Sequence, residues 1–191
     1  MNIYLVAHTE VYNPNNILLG KNDFPLVENF TTAFSCVEDL LNGTGNSNTY
    51  YSSSPQRHCL KLAHYLSNNS TYIDDNFIQI NMGEWEYAEQ SNITPDRFYD
   101  LLKTGFSNGE NIDQVKKRVG LGLKSLIKKK ADNIVLVTTP LIIKVIIADV
   151  IKAGFKSLKH IEVDYGSVSC LAYIAESKSL TLKYCNLRNR I

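Results

Sequence analysis

One histidine stands where a strand would deliver it to solvent and ligand. Ile3-Tyr4-Leu5-Val6-Ala7 runs straight into His8, Thr9 and Glu10. A short apolar run bounded by polar residues reads as a buried strand of an α/β sheet. In open α/β folds the ligand crevice lies outside the carboxyl ends of the strands. His8 is thus placed where an imidazole does chemistry. The alternative is a structural histidine at a strand end, and this stretch alone does not separate the two. The four cysteines, Cys36, Cys59, Cys170 and Cys185, show neither a C-x-x-C spacing nor a histidine spacing suited to zinc. They read as reduced thiols, and no metal or other cofactor is expected.

Bulk composition narrows the partners. The 191 residues argue for one domain, 1–191. Apolar residues make up 44% and charged residues 20%, which suits a globular chain with a sizeable core. A net charge of +1 gives no reason to expect a nucleic acid or a membrane surface as partner. No N-terminal stretch has the order of a signal peptide. The longest apolar run, Leu141 to Ile151, is broken by Lys144 and Asp149 and is too short to span a bilayer. A cytoplasmic protein is expected.

Several elements must position His8. Phe30, Phe34, Val37 and Leu41 recur at helical spacing, with Asn29 or Thr31 as cap and Gly43-Thr44-Gly45-Asn46 as breaker. Thr49 to Ser52 reads as a second strand. Ser54 and Pro55 then read as N-cap and first residue of a helix reaching about Ser67. Thr94-Pro95 opens another helix. Asn111 to Lys130 is the clearest helix, with Ile112, Val115, Val119, Leu123, Leu126 and Ile127 on one face. Its lysine-rich end complements the macrodipole and reads as a solvated face. Ile134 to Thr138 is a buried strand, and Pro140 opens a helix that stops before Gly154. Ile161–Asp164, Ser169–Ala175 and Thr181–Cys185 read as strands, the last two as a hairpin. A two-residue turn at Ser177-Lys178 would set Cys170 opposite Cys185. Strand–helix alternation points to an α/β fold with a mostly parallel sheet.

The ordered landmarks resemble the histidine phosphatase superfamily, which includes cofactor-dependent phosphoglycerate mutases and α-ribazole phosphatases. Leu5 to Glu10 resembles the L-[VM]-R-H-G-[EK] motif. Gly20 to Leu26 is similar to the G-x-x-D-x-P-L loop. Ser53 to Ala63 resembles S-S-P-L-x-R-[AC]-x-x-[TL]-A. Leu136 to Ile147 resembles the [LV]-V-[ST]-H-G-G-V-I-R strand-to-helix segment. Gly83 to Glu86 matches G-x-W-E, and Gly109-Glu110 matches the G-E before the long helix. Each motif alone is weak, whereas the ordered set covers nearly the whole chain. Cys59 and Leu62 bring it nearest in pattern to the α-ribazole phosphatase branch. The resemblance implies a three-layer α/β/α sandwich with a mostly parallel central sheet, phosphoglycerate mutase-like.

It also implies a chemistry. A neutral histidine attacks a phosphoryl group and becomes phosphohistidine. Two arginines and a second histidine hold the phosphoryl oxygens, and a glutamate protonates the leaving oxygen. This chain keeps His8 at the nucleophile position. Ala7 stands for the first arginine, His58 for the second, Gln79 for the acid and Thr139 for the second histidine, with Pro140 for the following glycine. Each lost charge-assisted hydrogen bond removes roughly 1.5–3 kcal/mol. A missing general acid removes roughly 10²–10⁴ in rate. The expectation is a degenerate relative without ordinary phosphatase activity. It would act by binding a phosphate-bearing small molecule or a protein. The alternative is an active phosphomonoesterase, of α-ribazole phosphatase or phosphoglycerate mutase type, that uses His8 in a rebuilt pocket.

Other residues enter this weighing. Arg57, one residue before His58, could swing in for the missing guanidinium, although one step along a helix turns a side chain by about 100°. Glu84 and Glu86 could supply a carboxylate if their loop shifts. Glu10 and Asn13 match family loop positions, where loop-ordering hydrogen bonds are the simpler role. Lys144 is read as a surface charge.

Overall fold

The computed structural model describes residues 1–42 and 48–189. The predicted breaker at Gly43 to Asn46 lies outside them. Among the described residues, six strands form one sheet in the order β3-β2-β4-β1-β5-β6. They are β1 (Asn2–Ala7), β2 (Thr49–Ser53), β3 (Tyr72–Ile73), β4 (Asn133–Thr138), β5 (Val168–Ile174) and β6 (Ser179–Leu187). The first four pair in parallel, and β5 runs antiparallel to both β1 and β6.

Strand alternation divides the core between two faces. Ile3, Leu5, Ile134 and Leu136 face helices α4 (Ile112–Ile127) and α5 (Pro140–Val150). Val6, Val135 and Val137 face α1 (Phe30–Leu41) and α2 (Arg57–Ser67). Both faces are covered, so the central strands can be apolar throughout. Helix α3 (Pro95–Thr104) adds Leu101 and Leu102 to the α4 side. This is the three-layer arrangement that the resemblance implied. Among the described residues no helix is long and apolar enough to cross a membrane.

Local chemistry sets the helix starts. Thr94 caps α3 by accepting from the Arg97 N–H, and Asn111 and Gln114 form a reciprocal capping box on α4. Asn29 precedes α1 but makes no side-chain cap. Helix α2 begins at Arg57, two residues later than Pro55 suggests. The Ser54 N–H still donates to the Val137 carbonyl at 2.9 Å, so the chain stays extended past β2. Asp23, 34 residues upstream, then accepts the Arg57 N–H at 2.7 Å and does the capping.

Two further expectations fail at the far edge of the sheet. Ile161–Asp164 is not a strand. The Asp164 N–H is taken by the Asn186 side chain instead of a ladder partner. The hairpin closes through four residues, pairing Ile174 with Ser179, and bulges then shift the register. Cys170 consequently lies opposite Tyr184, and all four cysteines are free.

Candidate active site

Three neighbouring strands, β2, β4 and β1, end side by side, and His8 and Thr139 directly follow two of those ends. The His8 N–H donates to the Thr138 carbonyl at 3.0 Å, carrying the ladder one residue past β1. Thr139 follows β4, and His58 follows β2 through the extended Ser54–Gln56 segment. A cavity of about 440 Å³ opens above them. His8, His58, Gln79 and Thr139 all line it. The four positions picked out by sequence thus converge in space.

Burial dominates the electrostatics. His8 is 3% exposed and His58 2% exposed. Their ring centroids lie 4.3 Å apart. Loss of solvation, with the neighbouring His58 adding to it, pushes the His8 pKa down to about 3. Burial likewise pushes His58 down to about 4, against the pull of Asp23 and the Phe24 backbone. Both rings are therefore neutral at pH 7. His8 Nδ1 lies 2.7 Å from the Thr9 carbonyl, which can only accept, so Nδ1 carries the proton. Nε2 is left with its lone pair. Tyr165, just before β5, packs beside this ring at 5.0 Å between centroids.

Gln79 is held from several sides. Its N–H donates to Gln56 Oε1, and its own Oε1 accepts the Ile80 N–H at 3.0 Å. Arg118 of α4 donates to the carbonyls of Asn76, Ile78 and Gln79 while pairing with Glu110 at 2.9 Å. Thr138 Oγ1 pins the Phe77 carbonyl at 2.7 Å. An amide so placed can donate or accept a hydrogen bond but has no proton to transfer to a leaving group.

Other predicted residues fall outside the cavity. Ala7 is fully buried in the α4-side core and is not among the residues lining the cavity. The Arg57 side chain is 84% exposed and pairs with Asp23, so it does not replace the missing arginine. Glu10 and Asn13 line an adjoining depression with Tyr12 and Pro14, which shares Gln90 and Tyr165 with the cavity. Asn13 exchanges two hydrogen bonds with the Ile17 backbone, which is loop ordering. Glu84 accepts from Asn108. Glu86 accepts from the Lys21 and Met82 N–H groups and from the Asn22 side chain. Gly20 makes that grip fit: it has φ +50°, and a Cβ there would meet the Glu86 carboxyl at 2.6–2.7 Å.

The structure also adds residues. Lys144, expected at the surface, is half-buried and lines the cavity. Burial lowers its pKa, while Glu162 and Asp164 pull it back up. Its signal was legible, since it stands at the arginine that closes the H-G-G-V-I-R pattern. Gln56 replaces that family's leucine after S-S-P and bridges the loop from Gly20 to Asn22 and the Gln79 segment. Tyr165 carried no signal in the sequence. Among the described residues lining the cavity, Lys144 is the sole charged side chain and there is no carboxylate.

Comparison with known proteins places this geometry. The profile of the histidine phosphatase superfamily (branch 1) matches residues 3–186. The chain belongs to that superfamily. Among solved structures, it is similar to the α-ribazole phosphatase of Shigella flexneri, with a TM-score of 0.84 at 20% identity over 98% of this chain and 97% of that one. A histidine-to-alanine mutant of the phosphoserine phosphatase of Entamoeba histolytica, in a complex with phosphoserine, gives 0.81 at 19% identity over 97% and 96%. A mycobacterial glucosyl-3-phosphoglycerate phosphatase gives 0.82 at 17% over 98% and 99%. At these identities the likeness is one of fold. No curated protein matches the chain by sequence.

Proposed function

We propose that this superfamily member binds the phosphate-bearing head of a small molecule beside His8 and does not hydrolyse it by the phosphohistidine route. One observation carries the reading. Thr139 and His58 line the same cavity, and their Oγ1 and Nδ1 atoms are buried with no hydrogen-bond partner among the described residues. Unpaired buried polar atoms cost roughly 1–3 kcal/mol each, and a ligand's oxygens would recover that. Thr139 is also the N-cap of the 11-residue α5 and makes no capping bond with its side chain. The free N–H groups and dipole of that helix end favour an anion. Lys144 adds positive charge from the same helix. A cavity of about 440 Å³ suits a small molecule better than a protein surface.

Hydrolysis is another matter. The family reaction needs a proton for the leaving oxygen, and Gln79 supplies none. Thr139 and His58 donate as neutral groups where charged ones would strengthen most in the transition state. The competing reading, an active phosphomonoesterase, rests on the unprotonated Nε2 of His8, which keeps a nucleophile's lone pair. Calorimetry with methyl phosphate and a turnover assay with p-nitrophenyl phosphate separate the two. The binding reading expects Kd in the micromolar to millimolar range, weakened about tenfold or more in Lys144→Met, and no turnover above the rate in buffer. Turnover lost in His8→Asn would establish the phosphatase instead.

A further inference from the structure

The cavity at His8 continues into a second chamber of about 620 Å³ that shares Leu19, Gln79, Met82, Phe98, Tyr99 and Tyr165 with it. The chemistry changes along this path. The inner end holds both histidines, Thr139 and Lys144. The outer chamber adds Leu18, Ile93 and Pro95, and among the described residues no Asp, Glu, Lys, Arg or His lines it. Its polar groups are neutral, chiefly Asn16, Gln79, Gln90 and Ser91.

The aromatic wall is fixed before any ligand arrives. Phe98 and Tyr99 sit in the first turns of α3, whose start is set by the Thr94 cap and Pro95. Phe98 packs on Phe106 at 6.0 Å between centroids. Tyr99 donates to the Leu158 carbonyl at 3.3 Å. Its ring is covered by Lys159 at 5.0 Å and meets Phe155 edge-on at 6.2 Å. Held rings lose little further entropy on binding, so the apolar contact they offer is preorganised.

We propose that this chamber selects an uncharged, ring-bearing tail, so that the ligand class is the monophosphate of an aromatic or alicyclic alcohol and not that of a hydroxy acid or amino acid. The proposal rests on the head-group reading and deepens it. A ring entering the chamber leaves water for apolar and aromatic neighbours. A carboxylate or ammonium on the tail would lose hydration there and meet no opposite charge among the described residues that line the chamber. The neutral glutamines at the junction can orient a hydroxyl or ether oxygen without demanding charge.

Calorimetry with three phosphate esters and one phosphate-free probe tests this on the intact chain. The probes are 2-naphthyl phosphate, methyl phosphate, phosphoserine and 2-naphthol. The expected result is 2-naphthyl phosphate binding about tenfold or more tighter than methyl phosphate, with phosphoserine weakest. In Phe98→Ala the preference for naphthyl over methyl phosphate should shrink by about tenfold. Circular dichroism, with Phe98→Leu as a second variant, guards against a simple loss of folding. Naphthyl phosphate binding no tighter than methyl phosphate, or phosphoserine equalling it, overturns the tail selectivity and leaves the head-group reading standing. Binding of 2-naphthol but of no phosphate ester keeps the apolar chamber and overturns the head-group reading. No binding by any of the four overturns both.

Discussion

Two buried neutral histidines at the heart of the site make stability depend on pH in a way that can be worked out. His8 and His58 titrate at about 3 and about 4 in the folded chain, against 6.5 for an ordinary histidine. Their folded pKa values are depressed, so between pH 6.5 and about 4 the unfolded chain binds more protons than the folded one. Stability must then fall as pH falls through that window. From pH 7 to pH 5 an unfolded imidazole gains about 2 kcal/mol from protonation that its folded counterpart forgoes. The pair together should cost about 3–4 kcal/mol, a large share of the 5–15 kcal/mol typical of a domain. The depressed carboxyls of Glu110 and Asp164 act in the same direction, but their stabilisation is lost only near and below pH 4.5. Urea unfolding at half-unit steps from pH 7.5 to 5 measures the slope, and the His8→Asn/His58→Asn double variant should flatten it by about 3–4 kcal/mol over the two units. Sulfate keeps its charge across this range. If the cavity takes anions, sulfate should restore more stability at pH 5 than at pH 7 in the wild type, and the double variant should lack that difference. Equal losses in wild type and double variant would refute the burial of neutral rings on which the site's electrostatics rest.

Two further predictions concern the frame around these rings. Arg118→Ala should cost about 3–5 kcal/mol in urea unfolding, because it strands a mostly buried Glu110 and three backbone carbonyls at once; Arg118→Lys should recover only part of this, since an ammonium cannot reproduce the fork, and full recovery would show that charge alone matters. Gln79→Glu should raise the His8 pKa by about one to three units in an NMR titration, by placing an anion on the same cavity wall; an unmoved pKa would mean that this side chain does not face His8.

Much of the fold was legible because local chemistry and the global arrangement agree. Helix α1 spans the predicted Phe30–Leu41, and Thr94-Pro95 and Asn111 mark helix starts that their side chains enforce. Where a long-range partner overrides the local signal, the structure departs from it. Ser54 and Pro55 look like a helix start, yet β4 holds Ser54 extended and Asp23 supplies the cap. The two-residue turn that would have faced Cys170 with Cys185 gave way to a wider turn and bulges.

At the site, the sequence by itself determined which residue types stand at the motif positions. His8, His58 and Thr139 converge because three adjacent strands end beside one another, and Gln79 is brought to them by its hydrogen bond to Gln56 and the grip of Arg118 on its segment. The same reading supplied the absence of an acid at position 79. Only the tertiary structure decided where the remaining side chains go. Arg57 turns outward to Asp23, Glu86 is spent on the loop at Gly20, and Ala7 closes into the core. Lys144 turns inward, although the polar residue in an apolar helix looked like a solvated one. Direction along a helix, and the depth at which a charge loses its water, depend on what packs against each face. Those neighbours come from distant parts of the chain, and no window of sequence contains them.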